Sequence, residues 1–320
     1  LKARLLGLDR LADYDRSAPI GGEAKGDIPW EEATDIVLAS YREFSPRMGE
    51  VVEGFLQGPY IDAPVRPGKR GGAFCSYTVP SAHPYILLNY AGTRRDVLTL
   101  AHELGHGVHA ALARPQGIFH FQSPLTLAEM ASTLGEQLVF DRLLGGIAEP
   151  GARLNLLGHA IDDAVATVFR QVAMNRFEDI CHTTRRDEGE LSIEKLGEIW
   201  IQTQAEMVGD SVELTPGYAD WHSYIPHFIS TPGYVYAYAY GQLLALSIYQ
   251  AYRERGEELV PRIIEMLSAG GSRSPEELTA MVGIDLSDPG FWARGLTMIE
   301  AQLDAAESAA ATVQGKNSRK

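Results

Sequence analysis

The chain has 320 residues, 45% of them hydrophobic and 22% charged, which is globular composition with room for a sizeable core. Lys and Arg (28) against Asp and Glu (42) leave a net charge of −14, which argues against nucleic acid or an anionic membrane as the main partner. The two cysteines, Cys75 and Cys181, cannot build a disulfide framework, and no apolar run reaches the ~20 residues of a membrane span.

Residues 1–29 are punctuated by Pro19, Gly21, Gly22, Gly26 and Pro29 and read as an extended connection. "LKARLLGLDRLADYD" has no apolar signal core, so a cytoplasmic location is expected, with any targeting signal lying upstream of this chain. From Trp30 to Gln57 the apolar positions Ile36, Val37, Tyr41, Phe44 and Met48 recur at roughly helical spacing. β-rich runs at 73–79 and 85–90 then predict a small sheet or hairpin. Thr93, with Asp96 three residues on, is a candidate N-cap for a helix to about residue 113. Further helices are expected over about 126–144, 151–187 and 192–209. A tyrosine-rich region at 218–253 and two or three shorter helices follow, and 306–320 reads as a disordered tail. There is no repeat and no clean linker. The expectation is one mainly α domain over 30–305, with the small sheet beside the 93–113 helix.

That helix carries His102-Glu103-Leu104-Gly105-His106, an H-E-x-x-H pattern. Spacing of i and i+4 puts both imidazoles on one face, and burying unpartnered histidines would be costly, so the pair reads as metal ligands. A catalytic zinc takes three protein ligands and leaves one position open. His109 returns to the same face, but seven residues carry it about 10 Å along the axis, too far to share one ion. It is expected beside the metal without binding it. The variant with a third histidine further along also fails, because His109 and Leu112 stand where it needs Gly and His. "PLTLAEMASTLGEQLVF" offers two carboxylates, Glu129 and Glu136. Glu129 is preferred as ligand, early in its helix with Ser132 three residues on. Glu136 would then accept a hydrogen bond from a ligating histidine or be solvated.

Several strings in order carry a wider likeness: "PGKRGGAFCSY", "HPYILLNYAG", "TLAHELGHGVHA", "LAEMASTLGEQL", "IPHFISTPGYVYAYAYG" and "SAGGSRSPEELTAMVGIDLSDPGFW". On these the chain resembles the M3 metallopeptidases, especially the oligoendopeptidase F branch. The resemblance implies a zincin-like, neurolysin-type helical catalytic domain, here the catalytic half of a longer chain. It implies one zinc ion per chain on His102, His106 and Glu129, and Glu103 acting on the attacking water. It also implies that His227 and Tyr234, then Tyr238, act on the substrate carbonyl. Read alone, the tyrosine run could equally be structural, although Pro232-Gly233 suggests a loop entering a helix on which Tyr234 and Tyr238 share a face. The family's more distant members carry another tyrosine near Gly241, a departure in this chain.

Gly71, Gly72 and Ala73 open a strand that could pair with an extended peptide, or could simply form a turn. His83 could line the same cleft or be a solvated loop residue. The implied function is a zinc-dependent endopeptidase hydrolysing internal bonds of short oligopeptides through a zinc-activated water with a glutamate general base. The alternatives are a catalytically impaired zinc- or peptide-binding fragment, and a related zinc carboxypeptidase, which would need a cation for the terminal carboxylate that the sequence does not locate. Oligomeric state is not legible.

Overall fold

Pro46 interrupts the helical stretch expected over 30–57. In the computed structural model, which describes residues 1–20 and 28–317, one helix runs Trp30–Phe44 and a second Pro46–Gln57. A proline disfavours helical conformation in the residue before it and lacks the N–H a helix interior needs. Ser45 is accordingly extended, at φ −155° and ψ 119°, and its hydroxyl accepts a hydrogen bond from the Met48 amide to cap the second helix.

The architecture is mainly helical, with a three-stranded and a two-stranded sheet among the described residues. It groups into two compact units, one of Ala24–Glu149 and Gly241–Glu300, the other of Leu1–Glu23, Pro150–Tyr240 and Ala301–Lys320. Among the described residues no helix is long and apolar enough to cross a membrane.

In the first unit, the central strand Tyr85–Tyr90 runs parallel to Ile61–Pro64 and antiparallel to Phe74–Ser76, with Cys75 opposite Ile86. Tyr85–Tyr90 falls where the sequence predicts it. The run expected over 73–79 keeps only three strand residues, because Thr78 adopts φ 57° and Pro80 follows. Phe74–Ser76 therefore forms a short sheet edge. The helix Arg94–Ala113 starts as its sequence implies: the Thr93 hydroxyl accepts from the Asp96 amide (3.1 Å) and the Asp96 carboxylate from the Thr93 amide (2.9 Å). Leu100, Ala101, Leu104 and Val108 bury its inner face completely, and the Tyr41 hydroxyl donates to the Ala101 carbonyl at 2.7 Å.

The next helical stretch is not continuous. It forms Leu125–Ala128 and Met130–Gly146, with Glu129 at the junction. Gly105 sets how closely Arg94–Ala113 meets this second helix, since a Cβ there would lie 2.4 Å from the Ala131 carbonyl oxygen and 2.5 Å from the Ser132 Cα. Both are backbone atoms that cannot rotate away. Gly105→Ala is therefore expected to cost about 1–3 kcal/mol, read as a lower thermal unfolding midpoint together with weaker zinc retention. An unchanged midpoint would contradict the close approach.

In the second unit, Pro150–Ala164 and Arg170–Glu188 continue through a π-helical turn at Val165–Phe169, and Ile193–Val208 follows behind a Ser192 cap. Met174, Phe177, Ile199, Trp200, Tyr218, Ile225 and Val235 form its core. Two sequence expectations are corrected here. Residues 1–20 are not an extended connection: they contain the helix Lys2–Leu6 and the strand Leu11–Ala12, which pairs in parallel with Val212–Glu213. The Asp13 carboxylate fixes this pairing by accepting from the Thr215 amide and hydroxyl at 2.6 and 2.7 Å. Residues 21–27, with the glycines that suggested a connection, lie outside the described residues. The expected tail is likewise ordered, because the helix Pro289–Asn317 runs on to Asn317 with Ala306, Ala309 and Ala310 buried. Alanine is the strongest helix former, so smallness there signals packing rather than disorder; residues 318–320 lie outside the described residues.

Candidate metal centre

One turn of helix separates His102 from His106, and their rings meet edge to face at 5.1 Å. Glu129, at the junction of the next two helices, points one carboxylate oxygen between them. Its Oε2 is 3.4 Å from Nε2 of His102 and 3.4 Å from Nε2 of His106. Ligand atoms of the three residues all lie within 4.8 Å of one another, and they are the group of metal-ligand spacing among the described residues. Two imidazoles and a carboxylate around one point fit a divalent metal such as zinc with one position left open.

Glu129 and His102 are held from behind. The Ser132 hydroxyl donates to the Glu129 carbonyl at 2.9 Å and reaches its Oε2 at 3.2 Å. Glu136 places Oε2 3.0 Å from Nδ1 of His102 and so turns Nε2 towards the centre. Glu129 also depends on a residue whose role the sequence did not reveal: a Cβ at Gly241 would lie 2.8 Å from the Glu129 Cβ. Only glycine on the helix Tyr236–Arg255 leaves room for this ligand, and the one local hint is a glycine closing a tyrosine run.

Without metal the group is an ion-pair cluster. Burial lowers the His102 pKa, but hydrogen bonds and charge from Glu129 and Glu136 outweigh it and push it up to about 10. Burial opposes ionisation of Glu129 too, yet the two histidines hold its carboxyl well below the usual carboxylate range. A metal must displace the His102 proton, so its affinity rises with pH below that value.

Glu103 lies one residue from a ligand and outside the ligand group. It is buried, its Oε2 has no hydrogen-bond partner, and burial first, then the neighbouring Glu129 and Glu136, raise its pKa against the pull of His102 and His106. His109 is buried with its Nδ1 unpartnered and lies outside the ligand group. Burial, helped by His106, pulls its pKa down to about 4, so its ring is neutral at pH 7.

A cleft of about 500 Å³ opens onto the metal group, with His102, Glu103, His106 and Glu129 in its wall. Ala73, Phe74 and Cys75 line it as well, so the edge strand borders the centre directly. Burial, then Glu103, pushes the Cys75 thiol up to about 12, which keeps it protonated. Gly71 and Gly72 precede this strand outside the lining. Gly72 takes φ 82° in open space, so it serves the turn, which Asn89 pins by donating to the Arg70 and Gly72 carbonyls. His83 does not line the cleft. It stacks on Tyr60 at 3.5 Å with its edge to Phe55. The cleft also takes in Tyr77, the last residue of the "PGKRGGAFCSY" string, and Gln122 and Ser123, which no local motif marks.

In the other unit His227, Tyr234 and Tyr238 come together. His227 Nε2 lies 3.2 Å from the Tyr238 hydroxyl, its ring stacks with Tyr234 at 5.9 Å, and the two tyrosine rings meet at 5.2 Å. Tyr234 stands two residues before the helix that starts at Tyr236, so the shared face comes from the turn after Pro232-Gly233 as much as from helical spacing.

The model of peptidase family M3 matches residues 30–298. Oligopeptidase PepF of Bacillus subtilis (strain 168) is 30% identical over 308 residues, 96% of this chain and 46% of that protein. An oligoendopeptidase F homolog of Borreliella burgdorferi is 31% identical over 312 residues, 95% of this chain and 52% of that protein. The chain thus spans about half the length of the curated relatives it matches. The crystal structure of oligoendopeptidase-F from Enterococcus faecium shares the fold at a TM-score of 0.72 and 24% identity, over 97% of this chain and 49% of that one. With the metal-ligand group in place and the family match running across both units, the chain belongs to peptidase family M3 and is similar to its oligoendopeptidase F members.

Proposed function

We propose that this chain is a zinc-dependent endopeptidase that hydrolyses internal bonds of short peptides. The observation that carries the reading is Glu103: a buried carboxylate, its Oε2 without a hydrogen-bond partner, in the wall of the cleft that also holds His102, His106 and Glu129. Those three residues would hold the zinc, which when bound lowers the pKa of its water and polarises a carbonyl. Glu103 takes a proton from the attacking water and passes it to the leaving amine, two roles that a raised pKa suits. Glu136 keeps the Nδ1 proton of His102 occupied so that Nε2 is free to ligate. His227, Tyr234 and Tyr238 donate to the carbonyl oxygen as it gains charge. The edge strand Phe74–Ser76 offers main-chain hydrogen bonds to an extended peptide, with Ala73 beside it in the cleft and Gly71 and Gly72 shaping the turn before it. Such binding reads few side chains and suits varied short peptides. The same reading places the enzyme in the cytoplasm, in keeping with two free cysteines.

The alternative reading is zinc or peptide binding without turnover. Digestion of a quenched oligopeptide series separates the two. Internal cleavage that a chelator abolishes and added zinc restores is the expected result. A folded, zinc-loaded chain that cleaves nothing would reject the enzyme, and release of C-terminal residues alone would point to a carboxypeptidase.

A further inference from the structure

The loop between the metal helix and Glu129 contributes Gln122 and Ser123 to the cleft, and a turn far along the chain grips it. Gly271 donates its amide to the His120 carbonyl at 2.8 Å, and a Cβ on Gly271 would lie 2.2 Å from the Gln122 carbonyl oxygen. Gly270, at φ 52°, would place a Cβ 2.4 Å from the His120 carbonyl oxygen. The Gln116 amide reaches the Ser268 carbonyl at 2.9 Å, so the grip extends to the start of the loop. Tyr77 closes the wall, its ring 5.8 Å from Phe121 and packed on Ala110 and Ala113 at the end of the metal helix. Apart from His102, Glu103, His106 and Glu129, every described residue lining this cleft is uncharged.

From this we propose that Tyr77, Gln122 and Ser123 form a substrate subsite beside the metal that takes an uncharged side chain, with Gly270 and Gly271 as positioning residues for its wall. The proposal rests on the peptidase reading above. With zinc on His102, His106 and Glu129, a substrate aspartate here would meet no Lys or Arg among the described lining residues and would face Glu103, and a lysine would find only carboxylates already engaged with metal or water. A neutral side chain meets the Tyr77 ring and the polar groups of Gln122 and Ser123 at no such cost.

The test uses the zinc-loaded Glu103→Gln chain, which binds without turnover, and labelled peptides differing only at the two positions flanking the cleavable bond. Anisotropy should show Phe or Leu at one of these positions bound at least about tenfold more tightly than Asp or Lys. Tyr77→Ala in that background should erase the preference with zinc content unchanged. Gln122→Glu should raise Lys binding several-fold, an outcome that a misfolded variant cannot produce. Gly271→Ala in the active chain should raise KM with kcat and zinc content held. Equal binding of charged and neutral peptides, a preference unmoved by Tyr77→Ala and Gln122→Glu, or no peptide binding at all overturns the subsite. Failure of the zinc-loaded wild type to cleave, with the binding preference intact, overturns the peptidase reading instead and leaves the subsite standing.

Discussion

Replacing Glu103 by Gln is expected to leave zinc bound and to lower kcat by about 10²–10⁴-fold, the usual range for a positioned acid–base group. The two side chains have nearly the same shape, so the packing around this buried position survives. The amide cannot accept the proton that the water must lose. Zinc should stay because the ligand group consists of His102, His106 and Glu129, and Glu103 is not part of it. Zinc content by mass spectrometry beside steady-state cleavage of a quenched peptide reads both halves of the prediction. Full turnover with full zinc occupancy would remove Glu103 from its role.

Glu129→Ala should do the reverse and empty the site. Its Oε2 is the atom that both ligand imidazoles share, at 3.4 Å from each, so its removal leaves two ligands of three. Loss of a supporting hydrogen bond alone typically costs 10–100-fold in metal affinity, so loss of a ligand should exceed about 100-fold. Alanine keeps the Cβ that meets Gly241, and the Ser132 hydroxyl keeps its bond to the residue 129 carbonyl, so the helix junction should hold. Competition titration with a zinc-binding dye, alongside circular dichroism, separates a lost ligand from a lost fold. Retained tight zinc in a folded variant would contradict the two-helix site.

The metal group and its surroundings were unevenly legible. The helix Arg94–Ala113 could be read because its cap, its apolar face and its histidine pair are all local signals within one stretch. Distance along a helix axis was enough to take His109 out of the ligand group. Glu129 could be ranked above Glu136, but not placed at a helix junction, because its seat depends on Gly241, more than a hundred residues later. The same non-locality hid the cleft wall: Gln122 is an ordinary loop residue until Gly271 is seen against its carbonyl. Two misreadings have local causes. Pro46 breaks a run whose apolar periodicity continues on both sides and so masks the break. The small residues after 305 read as disorder by composition, although alanine favours helix. The strand in residues 1–20 has no local signal, since Leu11 pairs with Val212 and nothing nearby announces it.

X-ray absorption at the zinc edge of the zinc-loaded chain tests the central claim most directly. Two imidazoles and one carboxylate predict a nearest shell of nitrogen and oxygen at about 2.0–2.1 Å, with outer-shell scattering from two imidazole rings and no sulfur. A sulfur scatterer at about 2.3 Å would put Cys75 in the shell, and a third imidazole would put His109 there. Either result would contradict a site made of His102, His106 and Glu129.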